Sequence, residues 1–90
     1  MKYVILDGKK MTNVEESHKY LKKKLLFSDY YGENLDALWD ELSTIAEPVQ
    51  IELINVIILN NNLKIYAKNL IDLFNEASLE NKQIKFNIKQ

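Results

Sequence analysis

Pro48-Val49-Gln50-Ile51-Glu52-Leu53-Ile54 is the stretch on which the architecture turns. Val49, Ile51 and Leu53 alternate with Gln50 and Glu52, the period of two expected of a strand, and Pro48, lacking an N–H, suits its first residue. Working outward toward the C-terminus, residues 56–62 are ambiguous. Their β-branched side chains favour a strand, Asn60-Asn61-Asn62 interrupt it, and a short irregular helix is equally open. Beyond them Ala67, Leu70, Ile71, Phe74, Ala77 and Ser78 fall at i, i+3, i+4 spacing, which predicts a helix over residues 65–80 that Asn81 can close. Ile84, Phe86 and Ile88 then alternate with Lys85, Asn87 and Lys89, a strand with one buried face.

Working back from Pro48, Asn34 can cap a helix with Leu35, Leu38, Leu42, Ile45 and Ala46 on one side. At the helical angle, Asp36, Asp40 and Glu47 lie within about 40° of one another on the other side. Earlier still, Asn13 with Glu16 three residues on reads as a capping pair. Glu15 and Glu16 in the first turn and Lys22, Lys23 and Lys24 in the last match the helix dipole. Val14, His18, Leu21 and Leu25 form its apolar stripe. Tyr3-Val4-Ile5-Leu6, ended by Asp7-Gly8, reads as a buried first strand and a turn. Three strands separated by helices define an α/β chain with a small parallel sheet and right-handed crossovers. The pattern leaves the strand order open.

Ninety residues support one domain with one modest core, here residues 1–90. Hydrophobic residues at 47% and charged residues at 28%, with two Gly and one Pro, are the composition of a folded chain rather than a disordered one. The chain has no cysteine, hence neither a disulfide framework nor a thiolate nucleophile, and a zinc site would need His and carboxylates alone. No cofactor is called for. No signal-type apolar run follows the start, and residues 56–59 are too short to cross a bilayer, so a cytoplasmic protein without membrane attachment is expected.

The net charge of −1 conceals a segregated middle. Between Leu25 and Leu63 the acidic residues are Asp29, Glu33, Asp36, Asp40, Glu41, Glu47 and Glu52, with no Lys or Arg. Such a block repels phosphate backbones and attracts cationic surfaces, which argues against direct nucleic-acid binding. Asp40 is the pointed case. It follows Asp36 by four residues and has no Lys at i±3 or i±4, a spacing that costs about 0.2–0.5 kcal/mol of helix stability. His18, the sole histidine, sits on an apolar stripe and reads as a hydrogen-bonded core residue rather than a base. The lysines of residues 22–24, with no glycine-rich loop beside them, read as a solvated helix end. Trp39 borders the apolar face, where its ring can finish the core or rim a binding surface.

Tyr30-Tyr31-Gly32-Glu33-Asn34-Leu35-Asp36-Ala37-Leu38-Trp39-Asp40 resembles the signature of the barstar family of intracellular ribonuclease inhibitors. The first strand, the lysine-rich end of the first helix, Pro48 and Phe74-Asn75-Glu76-Ala77 extend the likeness more faintly along the chain. The resemblance implies a barstar-like fold, a three-stranded parallel sheet packed by three to four helices. It also implies a non-enzymatic function: plugging the active site of a basic, secreted, barnase-like ribonuclease. Asp40 would be the central anion, Asp36 a second charge, and Tyr30 and Trp39 aromatic contacts. Gly32, Asn34 and Leu35 would shape the loop and first turn, and Glu76 would add an outlying charge. Thr44, just past the acidic helix, belongs to the same expected surface. There the chain departs from the family pattern, with Thr44 and Ile45 where a glycine and an aromatic residue are usual. The free protein is expected to be a monomer.

Two other classes of function draw on the same residues. The same acidic face would serve a regulatory module that binds a different basic protein and inhibits no nuclease. An acid/base hydrolase using Asp36 and Asp40 lacks an opposed pair, oxyanion donors and a pocket in its favour.

Overall fold

In the computed structural model, which describes residues 1–89, Lys2–Asp7 (β1), Val49–Ile54 (β2) and Ile84–Lys89 (β3) form a parallel sheet in the order β1-β2-β3. Two right-handed crossovers that both step in one direction must lay their helices on one face, so the layers number two. The register shows the result: Val4, Ile51 and Phe86 share one row and Leu6, Leu53 and Ile88 another on the helix-covered face, with Ile88 left exposed at the edge. Tyr3-Gln50-Lys85 and Ile5-Glu52-Asn87 make the rows of the opposite face. The first strand, expected to be buried, is buried on one side only. Tyr3 is 54% exposed and Ile5 41%, against 5% for Val4 and 1% for Leu6. At the centre of that open face Glu52 is nevertheless buried, with the Asn87 amide donating to its Oε2 at 3.5 Å.

The helices are Val14–Leu25 (α1), Leu35–Ser43 (α2), Val56–Leu63 (α3) and Ile65–Glu80 (α4). Asn13 caps α1 by accepting from the Glu16 amide at 2.8 Å. The buried stripe of α1 is Ser17, His18, Leu21 and Leu25; Val14, placed on it by spacing, is exposed in the first turn. Residues 56–63 resolve as a helix because Val56, Leu59 and Leu63 all bury. The asparagines do not end it. Asn62 instead tethers it, donating to the Met11 carbonyl at 3.2 Å. The residues that follow β1 and β2 approach closely: a Cβ on Gly8 would stand 2.3 Å from the Asn55 carbonyl oxygen, so a glycine is required there.

The acidic helix is shorter than its periodicity suggests. α2 stops at Ser43, and Ile45, Ala46 and Glu47 lie beyond it, so Glu47 does not share the face of Asp36 and Asp40. Two physical causes act together. Pro48 disfavours helical backbone at Glu47, and the last carbonyls of the helix find partners elsewhere. The Asn81 side chain, just past α4, donates to the carbonyls of both Leu42 and Ile45 at 3.0 Å. Its backbone N–H meanwhile closes α4 on Ala77 at 2.8 Å. One residue thus ends two helices.

Candidate functional site: the acidic ridge of α2

The N-terminus of α2 is built by Asn34, whose Oδ1 accepts from the Ala37 amide at 2.7 Å while its amide group donates to the Gly32 carbonyl at 3.3 Å. Both loop and helix start are thereby held by one side chain. A glycine at 32 suggests an unusual backbone conformation, yet the left-handed residue is its neighbour Glu33, at φ 55°. Gly32 serves instead by its size. A Cβ there would lie 3.3 Å from the Ala37 Cβ and 3.5 Å from the Asn34 amide nitrogen, so the loop passes close over the first helical turn.

Leu38 and Leu42 bury completely, and Leu35, Ala37 and Trp39 pack partly against the core. That orientation leaves Asp36 and Asp40 pointing out. A hollow flanks the helix on each side. The first, of about 160 Å³, is lined by Ser28, Tyr30, Tyr31, Gly32, Asp40 and Glu41. The second, of about 310 Å³, lies between α2 and α4 and is lined by Leu35, Asp36, Trp39, Asp72, Leu73 and Glu76 among others. Trp39 accordingly does both things open to it: it packs on the core and walls the second hollow. Tyr30 stands 96% exposed at the rim of the first hollow. Thr44 is exposed, but lines neither hollow, and its hydroxyl is committed to the Glu41 carbonyl at 3.0 Å.

The ion pairs among the described residues are Lys19 with Glu15 and Glu16, Lys22 with Asp29, and Lys68 with Asp72. Among the same residues, Asp36, Asp40 and Glu76 have no cationic partner within 4 Å. The ridge is thus an array of exposed carboxylates on one helix, edged by aromatic rings, and it lacks the converging base and donors that bond-making chemistry needs.

Three features of the site escape sequence reading. Asp72 and Asn69 join the second hollow; Asp72 lies four residues before Glu76 and three after Asn69, a helical spacing that could have found them once Glu76 was chosen. Glu41 enters the first hollow from a position angularly next to the apolar face. Behind that hollow the buried His18 is bonded through Nδ1 to the Tyr31 hydroxyl and through Nε2 to the Tyr66 hydroxyl, both at 2.6 Å. Burial holds the imidazole below its ordinary pKa, opposed by the Glu33 charge. Burial also raises the Tyr31 phenol, with Tyr66, Glu33 and Glu41 adding to the effect, and raises that of Tyr66.

Fold and ridge together describe a two-layer α/β protein with an anionic ridge on its surface. Comparison with known proteins gives the family. The model of the family described as Barstar (barnase inhibitor) matches residues 1–90. A Bacillus subtilis (strain 168) protein named "Putative ribonuclease inhibitor YrdF" is 42% identical over 81 residues, which cover 89% of each chain. The chain belongs to the barstar family.

Proposed function

We propose that this protein inhibits a basic ribonuclease of barnase type by laying the α2 ridge into its active site, with Asp36 and Asp40 taking the places of RNA phosphates. The observation that carries the reading is the pair of exposed carboxylates on one helix, unpaired with any cation among the described residues and set between two hollows. A ribonuclease must hold cationic groups at its phosphate sites, and a fixed anion that reaches them needs no conformational change. Long-range attraction between the acidic ridge and such a cleft speeds encounter, and close pairs add affinity once water is expelled. Tyr30 and Gly32 shape the first hollow around Asp40. Trp39, Leu35 and Glu76 shape the second around Asp36, and Asn34 fixes the turn from which both charges project.

Family membership and the similarity to a protein named as a ribonuclease inhibitor support the reading. The role belongs inside the cell that makes the ribonuclease, before secretion. Titrating barnase-type ribonucleases with the protein at low and moderate salt tests it: cleavage is expected to stop near one equivalent, more readily at low salt. Undiminished cleavage at excess inhibitor overturns the proposal. Asp40→Ala is expected to weaken inhibition far more than Glu47→Ala, since Glu47 lies off the ridge; equal losses would mean diffuse charge rather than a focused site.

A further inference from the structure

The Tyr31-His18-Tyr66 chain crosses three elements that the proposed interface needs in register. Tyr31 walls the hollow around Asp40, His18 is fully buried on α1, and Tyr66 stands in the first turn of α4, the helix that carries Asp72 and Glu76. Both bonds are 2.6 Å, and the rings meet at 5.8 Å and 5.9 Å, the second edge to face. Phe27 also packs on Tyr31, with ring centroids 4.8 Å apart, so two aromatic neighbours hold the ring.

A neutral imidazole has one N–H and one bare nitrogen. It therefore donates to one tyrosine and accepts from the other, and the chain has a direction. Replacing Tyr66 by an apolar ring leaves the Nε2 side of a fully buried histidine without a partner. The imidazole can then change tautomer or tilt, and Tyr31 loses its fixed counterpart. Between Tyr30 and Gly32 that freedom would be expressed in the wall of the Asp40 hollow, with no change in any surface charge.

We propose that Tyr66, acting through His18 and Tyr31, is a positioning residue that holds the 30–32 loop in the geometry a partner engages. The inference rests on the proposed ribonuclease binding. Its test uses the full chain, with barnase as the probe, and four proteins: wild type, Tyr66→Phe, Tyr31→Phe and the double variant, beside Val4→Ala as a core variant of β1 remote from the loop. Tyr66→Phe is expected to weaken binding about fivefold to tenfold, the scale of one well-made hydrogen bond. The loss should fall on dissociation, leaving the salt dependence of association unchanged. In the Tyr31→Phe background the second substitution should add little, because the chain is already cut. In the free protein, the ring nitrogens of His18 should show one protonated and one bare site in wild type and an altered Nε2 signal in Tyr66→Phe, with faster amide exchange at Tyr31 and Gly32.

Wild-type affinity in Tyr66→Phe, additive effects in the cycle, unchanged loop exchange, or an equal loss in Val4→Ala would each overturn the proposal. If wild type itself fails to bind, the ribonuclease reading is what has failed, and the positioning role falls with it. If Tyr66→Phe does not fold, the wild-type His18 signals decide: an Nε2 resonance showing a hydrogen bond to Tyr66 supports the proposal, and one showing none overturns it.

Discussion

Asn81→Ala isolates the side-chain contact that, together with Pro48, ends the acidic helix. The substitution removes two hydrogen bonds of 3.0 Å to the Leu42 and Ile45 carbonyls and a third from the Gln83 amide to Oδ1, also 3.0 Å. The two carbonyl acceptors are partly buried, so each bond contributes about 1 kcal/mol, and the exposed third about half of that. Alanine fits the extended backbone of position 81, at φ −117° and ψ 106°, so no strain is added. The expected loss is about 2–3 kcal/mol, which for a domain of this size lowers Tm by about 10–15 °C. Urea unfolding followed by the fluorescence of Trp39, the sole tryptophan and itself on α2, reads the change directly. Asn81→Asp is the sharper arm. It keeps the Oδ1 acceptor for Gln83 but turns the donor into a carboxylate facing two carbonyl oxygens, so near neutral pH it should cost more than alanine. Aspartate milder than alanine, or both within about 0.5 kcal/mol of wild type, the range of an ordinary surface change, would refute the capping role.

Other expectations follow from single features. His18 is held neutral by burial, with its pKa below the ordinary value. The unfolded chain therefore takes up the proton first: the stabilisation is complete above about pH 6.5 and is lost as pH falls below it, by up to about 1.4 kcal/mol per unit. Urea midpoints at pH 7.5, 6.0 and 5.0 should show that decline in wild type and a flatter course in His18→Gln. Gly8→Ala drives a Cβ against the backbone oxygen of Asn55 and should cost about 1–3 kcal/mol or prevent folding. Gly32→Ala, whose nearest neighbours are at 3.3 and 3.5 Å, should fold with under about 1 kcal/mol lost; comparable losses at the two glycines would contradict the packing described.

Legibility in the sequence followed the range of the interactions concerned. The period-two runs at β2 and β3 and the caps at Asn13 and Asn34 are local, and each stands where its residues indicate. The ridge was legible for the same reason, since leucine and aspartate spacing alone separates buried from exposed sides of α2. What local pattern leaves open or misplaces is settled by partners far along the chain. Residues 56–63 are helical because three of them reach the core, not because of their propensity. The end of α2 depends on a side chain 36 to 39 residues away. Tyr66 entered no expectation, because its hydroxyl finds its meaning 48 residues back, at His18. The strand order follows from the sign of each crossover step, which no local pattern encodes.

The two aspartates of the ridge differ in what they do for the fold, and that difference separates folding from function. Asp36 lies in the first turn of α2, where the helix dipole favours a carboxylate by about 0.3–1 kcal/mol. Alanine there gains about as much in helix propensity as it forfeits, so Asp36→Ala should leave stability nearly unchanged. Asp40 lies mid-helix, exposed, one turn from a like charge and without a pairing cation among the described residues. Replacing it by alanine removes that repulsion and improves propensity, a combined gain of about 0.5–1 kcal/mol. The same substitution should remove most of the ribonuclease inhibition. A variant that is firmer as a fold and poorer as an inhibitor is the signature of a residue kept for a partner. Loss of stability in Asp40→Ala would show instead that the carboxylate contributes to the fold, and its assignment to binding would lose its physical basis.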